Sequence, residues 1–230
     1  INGLNINSIK IINPKLRYDI PHKLEKIFRN KTIKSIIRRG KHGIIITNAD
    51  YHFHFHLGMT GTFKVTKGTN VQIKKHDHLL IRLSKKINLI YNDVRKFGYI
   101  SIINKPFDII QFKNLGYEPS LLNLPINEVI EKVRMKKKSV KCLLLDQSIL
   151  AGVGNIYANE ILFDSSIHPE TLVIKLSNQK ISKILESSLK IIKKAIIKGG
   201  SSIKDYTNIK GDLGYFQNEF KVYGKQGLPC

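Results

Sequence analysis

From Tyr51 to Leu57 polar and apolar residues alternate without a break. Phe53, Phe55 and Leu57 share one face of that stretch, and His52, His54 and His56 share the other. A period of two marks a β-strand with one buried face. Short apolar runs recur on either side: Ile6 to Ile12, Ile33 to Arg38, Gly43 to Thr47, Leu79 to Leu83 and Leu89 to Tyr91. Arg39-Gly40-Lys41 separates two of them and predicts a hairpin turn; Gly58-Met59-Thr60-Gly61 predicts another turn. Residues 1–115 therefore predict mainly strands.

The pattern changes after Leu115-Gly116-Tyr117-Glu118-Pro119. Asn123 to Lys138 predicts a helix whose apolar stripe is Ile126, Val129, Ile130 and Val133, with Pro125 tolerated in its first turn. Ser177 predicts the cap of a long helix that carries Ile181, Ile184, Leu185, Leu189, Ile192 and Ile196 and stops at Gly199-Gly200. Between the two, Gln147 to Leu162 predicts helix, glycine turn, helix, with Asn155 as the second N-cap. A helix start presents unpaired N–H groups at the positive end of the dipole, which attracts phosphate. A plain helix–helix connection has the same pattern. Ser201 to Phe216 predicts a long polar loop, and Phe220 to Gly227 a strand entering a turn. The whole is an α+β chain, with a β domain followed by a helical one.

Charge adds a partner class. The chain has 39 Lys and Arg against 17 Asp and Glu, a formal net charge of +22 over 230 residues. An excess of that size on a globular composition points to a polyanion, most often nucleic acid. The abundance of Ile, Lys and Asn is also what an AT-rich coding bias produces, but such a bias does not account for so few acids. No apolar run reaches membrane-spanning length, and no signal peptide opens the chain. The cytoplasm is the expected compartment. Cys142 and Cys230 are too far apart for a disulfide framework; Cys230 closes a turn-rich stretch and is a candidate half of a metal knuckle. The three alternating histidines are a second, weaker metal candidate; a half-solvated strand face looks the same.

Two turns carry candidate chemistry. Met59 on its glycine-flanked tip is either a wedge for a base stack or a buried plug. Asp93-Val94-Arg95-Lys96-Phe97-Gly98 sets cations beside an aromatic, which suits backbone contact plus stacking on a base. Solvated charges over a core Phe give the same pattern.

Taken together, the chain resembles the bacterial formamidopyrimidine-DNA glycosylases. The matching pieces, in family order, are Arg38-Arg39-Gly40-Lys41, His56-Leu57-Gly58-Met59-Thr60-Gly61, Lys75-His76-Asp77-His78, Asp93-Val94-Arg95-Lys96-Phe97-Gly98 and Leu144-Leu145-Asp146-Gln147. Ala151-Gly152-Val153-Gly154-Asn155-Ile156-Tyr157-Ala158, Gly199-Gly200-Ser201-Ser202, Gly214-Tyr215-Phe216 and Val222-Tyr223-Gly224 follow. The resemblance implies an N-terminal β-sandwich over 1–117, a helical domain with a helix-two-turns-helix motif over 118–214, and the start of a β-hairpin zinc finger over 215–230. It also implies base-excision repair of oxidised purines by a bifunctional glycosylase and lyase. An endonuclease VIII-like enzyme for oxidised pyrimidines and a non-catalytic DNA-binding relative are the alternatives.

The same resemblance implies roles for particular residues. Lys41 matches the hairpin lysine that assists strand cleavage, and Lys204 a lysine of the loop over the damaged base. Met59 matches the filler of the gap left by the extruded base. Arg95 and Phe97 match the arginine facing the orphan base and the aromatic wedge. His76, Lys136, Lys141 and Asn155 match phosphate or strand contacts. Cys230 matches the first ligand of a structural zinc. Val94 stands where the family usually has proline. The implied partner is damaged duplex DNA, bound by a monomer with no membrane involved. The family nucleophile is the amine of an N-terminal proline followed by glutamate, whereas this sequence opens Ile1-Asn2. The sequence is therefore expected to be a fragment, and its 230 residues alone are expected not to excise 8-oxoguanine.

Overall fold

The computed structural model describes residues 1–106, 109–119, 124–201 and 215–229. Two of the expected site residues, Lys204 and Cys230, lie outside this set. The described chain forms two compact units, residues 1–112 and residues 113–201 with 215–229.

The first unit is built on two four-stranded antiparallel sheets. One contains β2 (Ile33–Arg39), β3 (His42–Thr47), β4 (His52–His56) and β8 (Tyr99–Ile103), in that spatial order. The other runs β1 (Ile6–Ile11), β6 (Asp77–Leu83), β7 (Ile87–Asn92), β5 (Thr62–Lys67). Ile6, Ile9, Ile45, Phe53, Leu79, Ile81, Leu89, Tyr91 and Ile100 form a common apolar core. Burying this β-branched and aromatic set contributes on the order of 1.5–3 kcal/mol per large side chain. A short helix, α1 (Leu24–Phe28), adds Leu24 and Phe28 to that core, with the Phe28 ring stacked 3.9 Å from Phe53. Neither α1 nor β5 and β8 is expected from the alternation pattern. Helix α1 is only five residues long, too short to display a helical period. A second short helix, α2 (Ile110–Lys113), begins near the end of this stretch.

The second unit packs α3 (Ile126–Val133), α4 (Val140–Leu145), α5 (Asn155–Ser165) and α6 (Asn178–Ile197) around Val129, Val133, Leu144, Ile161, Ile181, Ile184 and Leu185. Ser177 caps α6 as expected, accepting a hydrogen bond from the Lys180 N–H. The Gly200 N–H returns to Ala195 O and closes the helix. No helix among the described residues is long and apolar enough to cross a membrane.

Three expectations for this unit are corrected. The helix expected over 123–138 is already complete at Val133. The Lys136 N–H turns back to Val133 O, and Lys136 O accepts from the Ile174 N–H, so residues 134–138 form a connection packed on the later chain. Asn155 is the first residue of α5, not its cap; extended Gly154 holds the cap position, and no side chain caps it. The strand expected at Phe220 to Gly227 is absent, because its amides have another acceptor. The Glu160 carboxylate takes the N–H groups of Lys221, Val222 and Tyr223 at 2.9, 3.1 and 2.9 Å.

Candidate nucleic-acid interface

Strand register gathers four turns at one end of the first unit. His42 pairs with His56, and His56 with Tyr99, so Lys41, Leu57 and Gly98 each sit one residue beyond the same edge. In the other sheet Asn92 pairs with both Thr62 and Asp77, which places the starts of β5 and β6 beside the end of β7. The turns at 40–41, 57–61, 75–76 and 93–98 therefore share an end. Lys41, Met59, His76, Arg95 and Phe97, widely separated in sequence, are brought together there.

Met59 is 66% exposed, which rules out the buried-plug reading. Phe97 is 46% exposed, with the Arg95 guanidinium 4.7 Å from its ring centre. An exposed aromatic held by a cation is a surface for stacking, not a core residue. Lys41 stands on the solvent-facing turn between β2 and β3, with enough protein around it to push its ammonium pKa down by desolvation.

Behind Lys41 lies a ring cluster that alternation alone did not reveal. His42 on β3 meets His54 and His56 on β4 because those strands pair in register. His42 Nδ1 and His54 Nε2 are 3.1 Å apart, and His54 Nδ1 is 3.0 Å from Ser101 Oγ. Tyr99 stacks on His56 at 5.6 Å. His54 is fully buried. Desolvation first, and repulsion among the imidazoles second, hold His42 and His54 down to a pKa of about 4. The strand alternation separates His52, His54 and His56 from the core face, but it contains no sign of His42 opposite them. Among the described residues no group of three or more His, Cys, Asp or Glu could hold a metal.

The second unit places the remaining candidates on helix starts and a connection. Lys136 lies in the 134–139 connection, Lys141 in the first turn of α4 and exposed Asn155 at the first position of α5. Lys138 is paired with Asp146 at 2.7 Å. The glycine turn ahead of α5 is pinned by Gln147. Its Oε1 accepts from the Gly152 N–H at 2.9 Å, and its Nε2 donates to Leu145 O and Val153 O at 3.0 and 2.9 Å. A single amide side chain thus shapes the approach to the helix start, a role that no local pattern announces. A cavity of about 900 Å³ lined by Leu162, Phe163, Ile191, Phe216 and Val222 contains none of the candidate residues.

The sequence model described as the formamidopyrimidine-DNA glycosylase N-terminal domain matches residues 1–100, and the one described as the H2TH domain of the same enzymes matches residues 115–207. The formamidopyrimidine-DNA glycosylase of Zymomonas mobilis is 36% identical over 230 residues, covering 99% of this chain and 84% of that protein. The namesake from the Wolbachia of Brugia malayi is 35% identical over 100% of this chain and 84% of its own length. Among solved structures, a Lactococcus lactis Fpg variant bound to Fapy-dG-containing DNA superposes with a TM-score of 0.91 at 36% identity, covering 100% of this chain and 84% of that one. Lactococcus lactis Fpg bound to DNA containing an abasic site has the same score and identity. The sheet pairing that collects the turns, the helix starts of the second unit and the breadth of these matches converge: the chain belongs to the formamidopyrimidine-DNA glycosylase family.

Proposed function

We propose base-excision repair as the function this sequence serves, with the chemistry of a DNA glycosylase and abasic-site lyase acting on oxidised purines in duplex DNA; the 230 residues alone, opening Ile1-Asn2, are expected to bind damaged DNA without excising the base. One observation carries the reading: exposed Met59, Arg95 and Phe97 share an end of the first unit with Lys41. A base inside a duplex must be extruded before its glycosidic bond is reachable, and unstacking costs a few kcal/mol. Side chains that fill the vacated space offset that cost. Met59 and Phe97 are of the right kind, Arg95 supplies donors to the unpaired base opposite, and Lys41 is the proton-transfer partner during strand cleavage. The resemblance assigns the attack on C1′ to an N-terminal proline amine, which forms a Schiff base whose acidified neighbouring proton is then lost. Residues 1–117 form the catalytic-type domain in this reading. Residues 118–214 grip the backbone through Lys136, Lys141 and Asn155, and the resemblance assigns Lys204 a place over the lesion. Residues 215–230 begin a zinc finger with Cys230 as first ligand. Zinc, a structural ion in the family pattern, takes no part in the proposed steps.

Two measurements test this. With a net charge of +22, affinity for duplex DNA is expected to fall by about a thousandfold or more between roughly 50 and 200 mM salt, the behaviour of about six or more neutralised phosphates. A flat salt response would remove the electrostatic part of the reading. The second measurement is Phe97→Ala against two duplexes, one intact and one with an abasic-site analogue. Loss of the ring is expected to weaken abasic-site binding roughly tenfold, from the roughly 1–3 kcal/mol typical of aromatic–base stacking. Binding to intact duplex, set by phosphates, is expected to change less than about twofold. Equal losses on both would return Phe97 to a structural role.

A further inference from the structure

The two wedge-bearing turns are locked to one another by a single buried carboxylate. Asp93 is fully buried. Its Oδ1 accepts from the Thr60 hydroxyl at 2.5 Å, inside the Met59 turn. Its Oδ2 accepts from the Gly98 N–H at 2.9 Å, inside the Phe97 turn. The Thr60 oxygen in turn accepts from the Arg95 N–H at 3.0 Å. One hydroxyl therefore donates to the base of the second turn and accepts from its tip. The Asp93 N–H reaches His76 O at 3.1 Å, which ties in the 75–76 turn as well.

Backbone contact reinforces the lock. A Cβ at Gly58 would lie 2.6 Å from the Phe97 carbonyl carbon and 2.7 Å from the Gly98 nitrogen. A Cβ at Gly98 would overlap the Tyr91 hydroxyl and lie 2.7 Å from His56 O. The turns approach so closely that only glycine fits at the contact. Two loops joined by a buried charged hydrogen bond and bare backbone contact have no soft coordinate between them.

We propose that Thr60 and Asp93 are positioning residues that fuse the Met59 turn and the Arg95–Phe97 turn into one rigid insert, so that all three side chains enter DNA as a unit. The inference rests on the proposed function, since it assigns that insert to the gap left by an extruded base. Neither Thr60 nor Asp93 needs to touch DNA for this.

The test uses the full chain with Thr60→Val and Thr60→Ser. Val keeps the shape and removes both hydrogen bonds; Ser restores both. In Thr60→Val, affinity for an abasic-site duplex is expected to drop about tenfold while affinity for intact duplex holds within about twofold, and Thr60→Ser is expected to recover the wild-type ratio. Combining each background with Met59→Ala and Phe97→Ala completes the test. The two losses are expected to be coupled where the side chain at this position carries a hydroxyl, in wild type and in Thr60→Ser, and additive in Thr60→Val. A Thr60→Val protein with wild-type affinity ratio and unchanged coupling would overturn the inference. Absence of any abasic-site preference in the wild-type chain would overturn the proposed function, and the inference with it. Should Thr60→Val fail to fold, amide exchange in the wild-type chain decides. The Gly61 amide of the Met59 turn, held by Leu57 O, and the Arg95 and Gly98 amides of the other turn, held by Thr60 and Asp93, are expected to open with one common protection factor. Factors differing about tenfold or more would mean that the turns move independently.

Discussion

Replacing Glu160 by Ala is expected to release the end of the second unit. The carboxylate is 3% exposed and accepts three consecutive backbone N–H groups, from Lys221, Val222 and Tyr223. A hydrogen bond to a charged group contributes about 1.5–3 kcal/mol, and each buried donor left without a partner carries a penalty of similar size. Local opening of the segment sets the ceiling on the sum for three donors. A loss of about 3–5 kcal/mol is expected, close to three such hydrogen bonds at the lower figure of about 1.5 kcal/mol each. Phe216 and Phe220, buried beside Tyr157 and Tyr223, are expected to lose order with it. Glu160→Gln keeps one acceptor oxygen but turns an NH₂ toward the donors, and an intermediate loss is expected. Urea unfolding gives the size, and amide exchange at 221–223 gives the place. If Glu160→Ala unfolds at the wild-type urea concentration with those amides still protected, the three-donor anchor is not what holds the segment.

Mild acid is expected to weaken the first unit. His42 and His54 are held to about 4 against an ordinary 6.5, and His52 and His56 are shifted in the same direction. The sign follows from linkage. Above about pH 6.5 the imidazoles are neutral in both folded and unfolded chains, and stability is complete. As pH falls below about 6.5 the unfolded chain takes up protons that the folded cluster refuses, so stability declines steadily toward about pH 4. Each pK unit is worth about 1.36 kcal/mol; with His42 only partly buried and the pair coupled, a combined loss of about 3–5 kcal/mol is expected by about pH 4.5. That is a large share of the roughly 5–15 kcal/mol typical of a folded domain. The window separates this effect from the carboxylates. Asp146, lowered to about 2 by its hydrogen bonds to Lys138 and Ser148, and Asp164, lowered by Lys190 and Ser187, lose their contributions only at lower pH. Urea midpoints at about pH 7 and pH 4.5 check the expectation. Equal midpoints would show that the imidazoles ionise freely inside the fold. A His54→Gln variant is expected to flatten the pH dependence even if its stability at neutral pH is lower.

Local periodicity carried much of the architecture. The alternation at 51–57, the turns at 39–41 and 58–61 and the Ser177-capped helix stand close to where the pattern puts them, because each is set by neighbouring residues: a face, a cap, a glycine. Elements that failed the pattern are those whose hydrogen bonds go far along the chain. Residues 220–227 do not form a strand because Glu160, sixty-odd residues earlier, takes their amides. Residues 134–138 leave the helix because Ile174 draws on Lys136 O.

Family order named Lys41, Met59, Arg95 and Phe97 from the sequence alone, and the net charge of +22 pointed to a polyanion with no structure at hand. What the sequence could not supply was their neighbourhood. Register across β3, β4 and β8 put His42 against His54 and set Lys41 beside the Met59 and Phe97 turns. A buried Asp93, which reads in sequence as one more polar turn residue, proved to be the point where those turns join. Composition and period are sums over near neighbours, and so they determine elements and charge. Which side chains meet is decided by pairing between strands far apart in the chain, and only the folded sheet contains that information.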